Sequence, residues 1–199
     1  MIDVIRHYDA LIDVNNDPVH DPPPLKAYMD KWDGQDFIDE MQLSSDKDVL
    51  EIGVGTGRLA VRVAPLCRSF IGIDVSPKTV ERVTENLRGH ANTQIVLGDF
   101  MEYHFDTTFD VIYSSLTFMH IMDKGGAIRK IARLLKPGGR FVLSVDKNRS
   151  EYIYMGNRKV KVYPDDPADV RRHIEAAGLI LVKQFETEFA VIFTVDKAI

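Results

Sequence analysis

Three glycines at every second position, closing a short apolar run, constrain this chain more than any other feature. The run reads Val49-Leu-Glu-Ile-Gly-Val-Gly-Thr-Gly-Arg-Leu-Ala60. Val49, Leu50 and Ile52 suit a strand covered on both faces, and such strands belong to parallel sheets flanked by helices. Gly53, Gly55 and Gly57 then permit positive φ in a sharp turn into a helix, and they let backbone approach a ligand where a Cβ would collide. A nucleotide-type cofactor is the natural occupant of such a turn.

The context narrows that occupant. Phe70-Ile-Gly-Ile-Asp74-Val-Ser reads as a second buried strand ending in a carboxylate. Asp74 lies roughly 20 residues past the glycines, the spacing at which an acidic residue reaches a ribose diol. The dinucleotide fingerprint runs G-x-G-x-x-G and aims a helix N-terminus at pyrophosphate. Here the glycines run G-x-G-x-G, and Glu51 stands at the strand's end. A pyrophosphate would be repelled there, which opposes a reading as an NAD-dependent oxidoreductase. A ligand carrying positive charge is welcome, and S-adenosylmethionine has both an ammonium and a sulfonium.

Three further segments follow in order: Val96-Leu-Gly-Asp99-Phe, Phe109-Asp110-Val-Ile-Tyr-Ser-Ser-Leu, and Leu134-Leu-Lys-Pro-Gly-Gly-Arg-Phe-Val-Leu-Ser. With these five motifs the chain resembles the class I S-adenosylmethionine-dependent methyltransferases that act on small molecules, from about Val49 to the C-terminus. The resemblance implies a Rossmann-like, doubly wound α/β fold: a seven-stranded, mostly parallel sheet with an antiparallel last strand and helices on both faces. It also implies roles. Gly53 and Gly55 let the backbone pass under the methionine portion of the cofactor, with Glu51 near its amino group, directly or through water, and Gly57 belongs to the same cofactor-binding turn. Asp74, followed by Val75, takes the ribose hydroxyls. Asp99 takes the adenine amino group, with Phe100 beside the base, and Ser114 contributes backbone near the methionine carboxylate. The product is S-adenosylhomocysteine. Asp110 begins its strand, far from the ligand end, and is expected to be structural.

Composition bears on partners. A net charge of -5 argues against a nucleic-acid substrate, since a binder of polyanions presents a basic face. The basic runs at Arg171-Arg172 and from Asn157 to Lys161 read as solvated faces. The lone Cys67 makes no internal disulfide and reads as a buried thiol on the first core helix. No apolar run approaches the ~18 residues that span a membrane, and Asp3, Arg6 and Asp9 stand where a signal peptide would be apolar. The expectation is a cytoplasmic protein with no membrane association.

The chain divides into a helical lid segment, residues 1–45, and a cofactor-binding domain, residues 46–199, the two forming one structural domain. A helix is expected near Asp3 to Asp13, then a linker through Pro24, because the run Asp21-Pro-Pro-Pro24 cannot sit inside a helix. A helical region follows from Leu25 to Met41, with Gly34 as a point of division. Ser76-Pro77 opens a crossover helix, serine as cap and proline in the first turn. Residues 151–163 alternate around Gly156-Asn157, a hairpin signal, and form an insertion at the cofactor end of the sheet. Tyr8, Tyr28 and Trp32 from the lid, and Tyr152, Tyr154 and Tyr163 from the insertion, are candidates to enclose a substrate.

Methyl transfer from a sulfonium is a direct displacement, so alignment and exclusion of water carry much of it. An O or N acceptor that must lose a proton benefits from a base. His120, a few residues past the fourth strand, is the candidate, because histidine ordinarily titrates near neutrality. His7 and His20 are weaker candidates; His90, His104 and His173 read as surface residues. No histidines or cysteines stand at metal-ligand spacing, so no metal is expected. The expected partner is a small-molecule methyl acceptor. The alternative is a non-catalytic S-adenosylmethionine-binding module that regulates or supports a partner.

Overall fold

A computed structural model describes residues 2–155 and 158–199. In chain order its elements are α1 (Ile2–Asp13), α2 (Pro23–Met29), α3 (Gly34–Glu40), β1 (Asp48–Ile52), α4 (Ala60–Val63), β2 (Ser69–Asp74), α5 (Pro77–Asn86), β3 (Thr93–Leu97), β4 (Phe109–Ser115), α6 (Lys124–Leu134), β5 (Leu135–Asp146), β6 (Tyr152–Met155), β7 (Arg158–Lys161), α7 (Pro167–Ala176), β8 (Leu179–Glu186) and β9 (Ala190–Lys197). Short 3₁₀ turns lie at Pro18–His20, Ala64–Leu66 and Phe118–His120.

Seven strands form one sheet in the order β3-β2-β1-β4-β5-β9-β8. Neighbours from β3 to β5 pair in parallel, and β9, the last strand, runs antiparallel between β5 and β8. This is the expected doubly wound architecture. Both faces are covered, as the apolar runs required. Leu50, Ile112, Leu143 and Phe193 enter one core, while their neighbours Val49, Val111, Val142 and Ile192 enter the other. The side-chain period of two along each strand sorts them. Strand order reverses between β1 and β4, so the crevice beyond their carboxyl ends is where a ligand belongs in such a sheet. Asp110 sits at the opposite end. It accepts from the Asp48 amide at 2.8 Å and from Lys136 at 2.6 Å, a structural role as expected.

Several local expectations need correction. The proline run does not precede the helix: Pro23 and Pro24 occupy the first turn of α2, where amides have no intrahelical partner and a missing N–H costs nothing. Gly34 does divide the helical region, with φ +71 after Asp33, whose carboxylate accepts the Gly34 amide at 2.6 Å. Cys67 is buried but lies just past the 3₁₀ turn at Ala64–Leu66 rather than on a helix, and burial pushes its thiol up to about 11. The fifth strand begins at Leu135 and bulges through Gly138 instead of starting at Arg140. The hairpin is present as β6 and β7, pairing antiparallel; its Gly156-Asn157 turn lies outside the described residues. Among those residues, no helix is long and apolar enough to cross a membrane.

The N-terminal segment is built into the core. Phe37 of α3 is fully buried, its ring edge-on to Tyr113 of β4 at 6.1 Å, and Glu40 accepts from Thr194 of β9 at 2.9 Å. Phe37→Ala should therefore cost about 3–5 kcal/mol by urea denaturation, within a single transition. A separate early transition would show that residues 1–45 fold apart from the sheet.

Candidate functional site

A cavity of about 920 Å³ opens where the strand order reverses. Glu51, Gly53, Gly55, Asp74, Val75, Asp99 and Phe100 all line it. The glycine turn explains its floor. Gly53 has φ +74, and a Cβ there would collide with the Thr117 side chain. Gly55 has φ +56, and a Cβ there would meet nothing within 4 Å, because that position faces the open cavity. Gly57 does not line the cavity; a Cβ on it would press on Val83 Cγ2 at 2.9 Å, so its smallness lets the turn pack on α5.

Ser114 is also outside the lining. It is fully buried, its hydroxyl donating to the Ile52 carbonyl at 2.9 Å, and Ser115, one residue on, reaches the cavity instead. From the lid, Tyr8 and Trp32 line the cavity, whereas Tyr28 stacks outside it against Trp32 and Phe189. From the insertion, Tyr152 and Tyr154 do not line it. Lys159 lies over the Tyr152 ring at 3.6 Å, and the intervening Ile153 and the later Tyr163 form the wall.

Two carboxyl groups dominate the floor. Glu51 is buried, accepts from Tyr113 Oη at 2.7 Å, and is pushed up to about 8 by desolvation, against the pull of Tyr113 and Arg58. Asp74 accepts from the Gly55 and Ser76 amides, both at 3.0 Å; burial raises its pKa and these amides hold it down. Asp99 accepts from the Met101 amide at 2.9 Å. Sequence reasoning missed Arg58, which lines the cavity and is held by Asp33, with Nη1 to Oδ1 at 3.0 Å and a second bond from Nη2 to Oδ2. Ser115 Oγ donates to the same Asp33 at 2.7 Å. A signal existed: an arginine just before a helix opposes the helix dipole and needs an anion nearby.

His120 ends the 3₁₀ turn after β4 and lines the cavity, its Nε2 2.8 Å from Tyr8 Oη. Near-neutral titration is not what the structure gives. Burial, then the nearby His7 and Lys124, lower its pKa to about 4, so the imidazole is neutral throughout the physiological range. Burial and Asp74 push the Tyr8 phenol well above its ordinary value. The turn itself is anchored by Lys124, which donates to the Phe118 carbonyl and to the Tyr163 carbonyl at 2.8 Å and pairs with Asp165 at 2.8 Å. Of the other histidines, His7 is buried with its ring edge-on to Tyr8, His20 is an exposed residue facing Asn86, and His104 pairs with Asp106 in solvent.

Residues 50–143 match the family model described as a methyltransferase domain. An uncharacterized methyltransferase of Anoxybacillus flavithermus is 33% identical over 177 residues, which cover 85% of this chain and 82% of that protein. The ubiquinone biosynthesis O-methyltransferase of Pseudomonas aeruginosa is 31% identical over 169 residues, covering 81% of this chain and 69% of that enzyme. Among solved structures, the DhpI complex with S-adenosylhomocysteine has the same fold, with a TM-score of 0.75 at 14% identity, over 98% of this chain and 94% of that one.

The burial of Glu51 has a measurable sign. Its folded pKa of about 8 lies above the ordinary 4.5, so the folded state binds the extra proton, and stability is lost as pH rises through that window. His120 acts oppositely between about 4 and 6.5, which leaves the range above 6.5 to report Glu51. Urea denaturation across that range should show stability declining in the wild type and a flatter profile in Glu51→Gln. An unchanged slope in the variant would assign the titration to another group.

Proposed function

The chain belongs to the class I S-adenosylmethionine-dependent methyltransferases, and from that premise we propose that it methylates a small molecule enclosed beneath its N-terminal helix. The carrying observation is the open space in front of Gly55, set between the buried carboxyls of Glu51 and Asp74. Such a cradle fits S-adenosylmethionine, the enzyme's cofactor. Glu51 would hold its ammonium, and that cation would draw the carboxyl toward its ionised form. Asp74 would accept the ribose hydroxyls with lone pairs not used by the Gly55 and Ser76 amides. Asp99 and Phe100 would take the adenine, and Arg58 supplies a cation for the carboxylate. When bound, the cofactor supplies an electrophilic methyl carbon on a sulfonium.

The remaining residues position an acceptor and keep water out. Tyr8 and Trp32 of the lid and Ile153 and Tyr163 beside the hairpin wall the cavity, whose volume suits a cofactor with a small second ligand rather than a polymer. The acidic net charge and the likeness to the Pseudomonas relative, an O-methyltransferase of ubiquinone biosynthesis, support the same reading. His120, neutral and hydrogen-bonded within the wall, serves as the base for an acceptor proton. Formation of S-adenosylhomocysteine upon adding an acceptor tests the proposal. Cofactor binding without turnover on any acceptor would favour a binding module instead.

Asp74→Ala should weaken S-adenosylmethionine binding by more than about 2 kcal/mol in calorimetry. Gly55→Val is the cleaner probe: its side chain enters open space, so the protein should fold despite the positive φ and lose binding outright. Wild-type affinity in either variant would displace that residue from the site. His120→Ala should lower turnover by roughly 10²–10⁴ with cofactor affinity kept. Because its pKa is about 4, the acid limb of the wild-type rate should fall near that value and not near neutrality.

A further inference from the structure

We infer that the acceptor is an uncharged, largely apolar hydroxy compound, a phenol or alcohol, whose O–H donates to Tyr8 and whose proton reaches His120 through the Tyr8 hydroxyl. The inference rests on the methyltransferase reading above and deepens it.

Consider first what the cavity wall offers an incoming molecule. Away from the strand ends, the lining is Val4, Trp32, Met119, Ile121, Ile153 and Tyr163, an apolar shell. The only lysine or arginine among the described lining residues is Arg58, which Asp33 and Asp30 hold and which the reading above gives to the cofactor's carboxylate. Glu51, Asp74, Asp99, Glu102 and Asp123 also line the cavity. A phosphate or carboxylate on the acceptor would therefore be desolvated in a region that offers it no free lysine or arginine. A neutral molecule meets no such barrier.

Asn16, Thr56, Thr79, Ser115 and Thr117 also line the cavity, but it is the Tyr8–His120 pair that couples a hydroxyl to a base. Nε2 of His120 is occupied by Tyr8 at 2.8 Å, so an acceptor's hydroxyl would approach Tyr8 Oη; this order puts the proton of the neutral imidazole on Nδ1, which is buried without a hydrogen-bond partner among the described residues. The transfer then balances. As the acceptor oxygen forms its bond to the methyl carbon, the carbon–sulfur bond breaks and its electron pair stays on sulfur. The acceptor's proton passes to Tyr8 Oη, and the proton of Tyr8 passes to His120 Nε2. A hydroxyl oxygen that is gaining a methyl group becomes far more acidic than an imidazolium, so even a base held near 4 takes the proton. His7 and Tyr8 from α1 and Lys124 from α6 are the charged or titratable neighbours that bear on this pair, and Asp74 bears on Tyr8. An amine differs. At neutral pH it arrives as an ammonium, which this imidazole cannot deprotonate.

The test uses the full-length protein with three probes: 4-butylphenol, phosphoethanolamine and octanoate. Trp32, the sole tryptophan, lines the cavity and reports binding by its fluorescence without any turnover. Saturable quenching by 4-butylphenol alone is expected, with methyl transfer from labelled S-adenosylmethionine to its oxygen. Tyr8→Phe should lose roughly 10²-fold in turnover with cofactor affinity intact, and Tyr8→Phe combined with His120→Ala should be no slower than His120→Ala alone. Should Tyr8→Phe fail to fold, His120→Asn, which keeps a hydrogen bond to Tyr8 but takes no proton, is expected to be equally slow. Preferred methylation of phosphoethanolamine or octanoate, full activity in either single variant, or no transfer to the phenol by a protein that binds S-adenosylmethionine each overturns the inference. Failure to bind S-adenosylmethionine would instead overturn the cofactor-site assignment beneath it.

Discussion

Asp33 is where three separate pieces of the chain are tied together. Its side chain is shut off from solvent, yet it accepts a forked pair of bonds from Arg58, a hydroxyl from Ser115 and the Gly34 amide. Arg58 comes from the glycine turn, Ser115 from the end of β4, and Gly34 opens α3. A buried carboxylate is tolerable only when partnered this fully, and removing one member of such a pair typically costs about 3–5 kcal/mol. The glycine turn that floors the cavity, the strand that leads to His120 and the helix that carries Phe37 into the core therefore meet at one side chain.

A second set of contacts lays α1 over the opening. Asp9 accepts from Ser76 Oγ at 2.7 Å, Asp13 pairs with Lys78 at 2.5 Å, and Asp17 accepts from Arg82 and Asn86, both at 3.1 Å. All of these partners belong to α5 or its cap. The same Ser76 supplies an amide to Asp74, so the residue assigned to the ribose and the helix that roofs the cavity share a neighbour. Tyr8 is thereby held on the cavity wall within hydrogen-bond distance of His120, which makes the first helix part of that wall and not an appendage.

The sheet and the floor of the site were legible because their signals are local. An apolar run, a glycine turn and a terminal carboxylate are contiguous, and their order along the chain is the order in which they reach the crevice. What escaped depends on parity or on distant partners. Ser114 and Ser115 differ by one residue on a strand, as do Tyr152, Ile153 and Tyr154, and a sequence does not print which of two alternating faces meets the ligand. Arg58 draws its meaning from Asp33, which lies 25 residues away. The depressed basicity of His120 follows from burial under a helix that starts more than a hundred residues earlier. The proline run misled for a different reason: the exclusion of proline applies to helix interiors, and Pro23 and Pro24 stand at a beginning.

Floor and roof are held by unlike forces. Beneath, Leu50, Ile52, Ile112 and Phe141 are interlocked by packing, which dissolved ions scarcely affect. Above, α1 is tied to α5 by Asp13 against Lys78, an exposed pair whose attraction fades over a Debye length of about 8 Å at physiological salt, while Asp17, just past α1, holds Arg82 as a buried carboxylate. The two surfaces that bound the cavity thus respond to different properties of the medium. Added salt screens the exposed pair above and leaves the packed side chains below as they are.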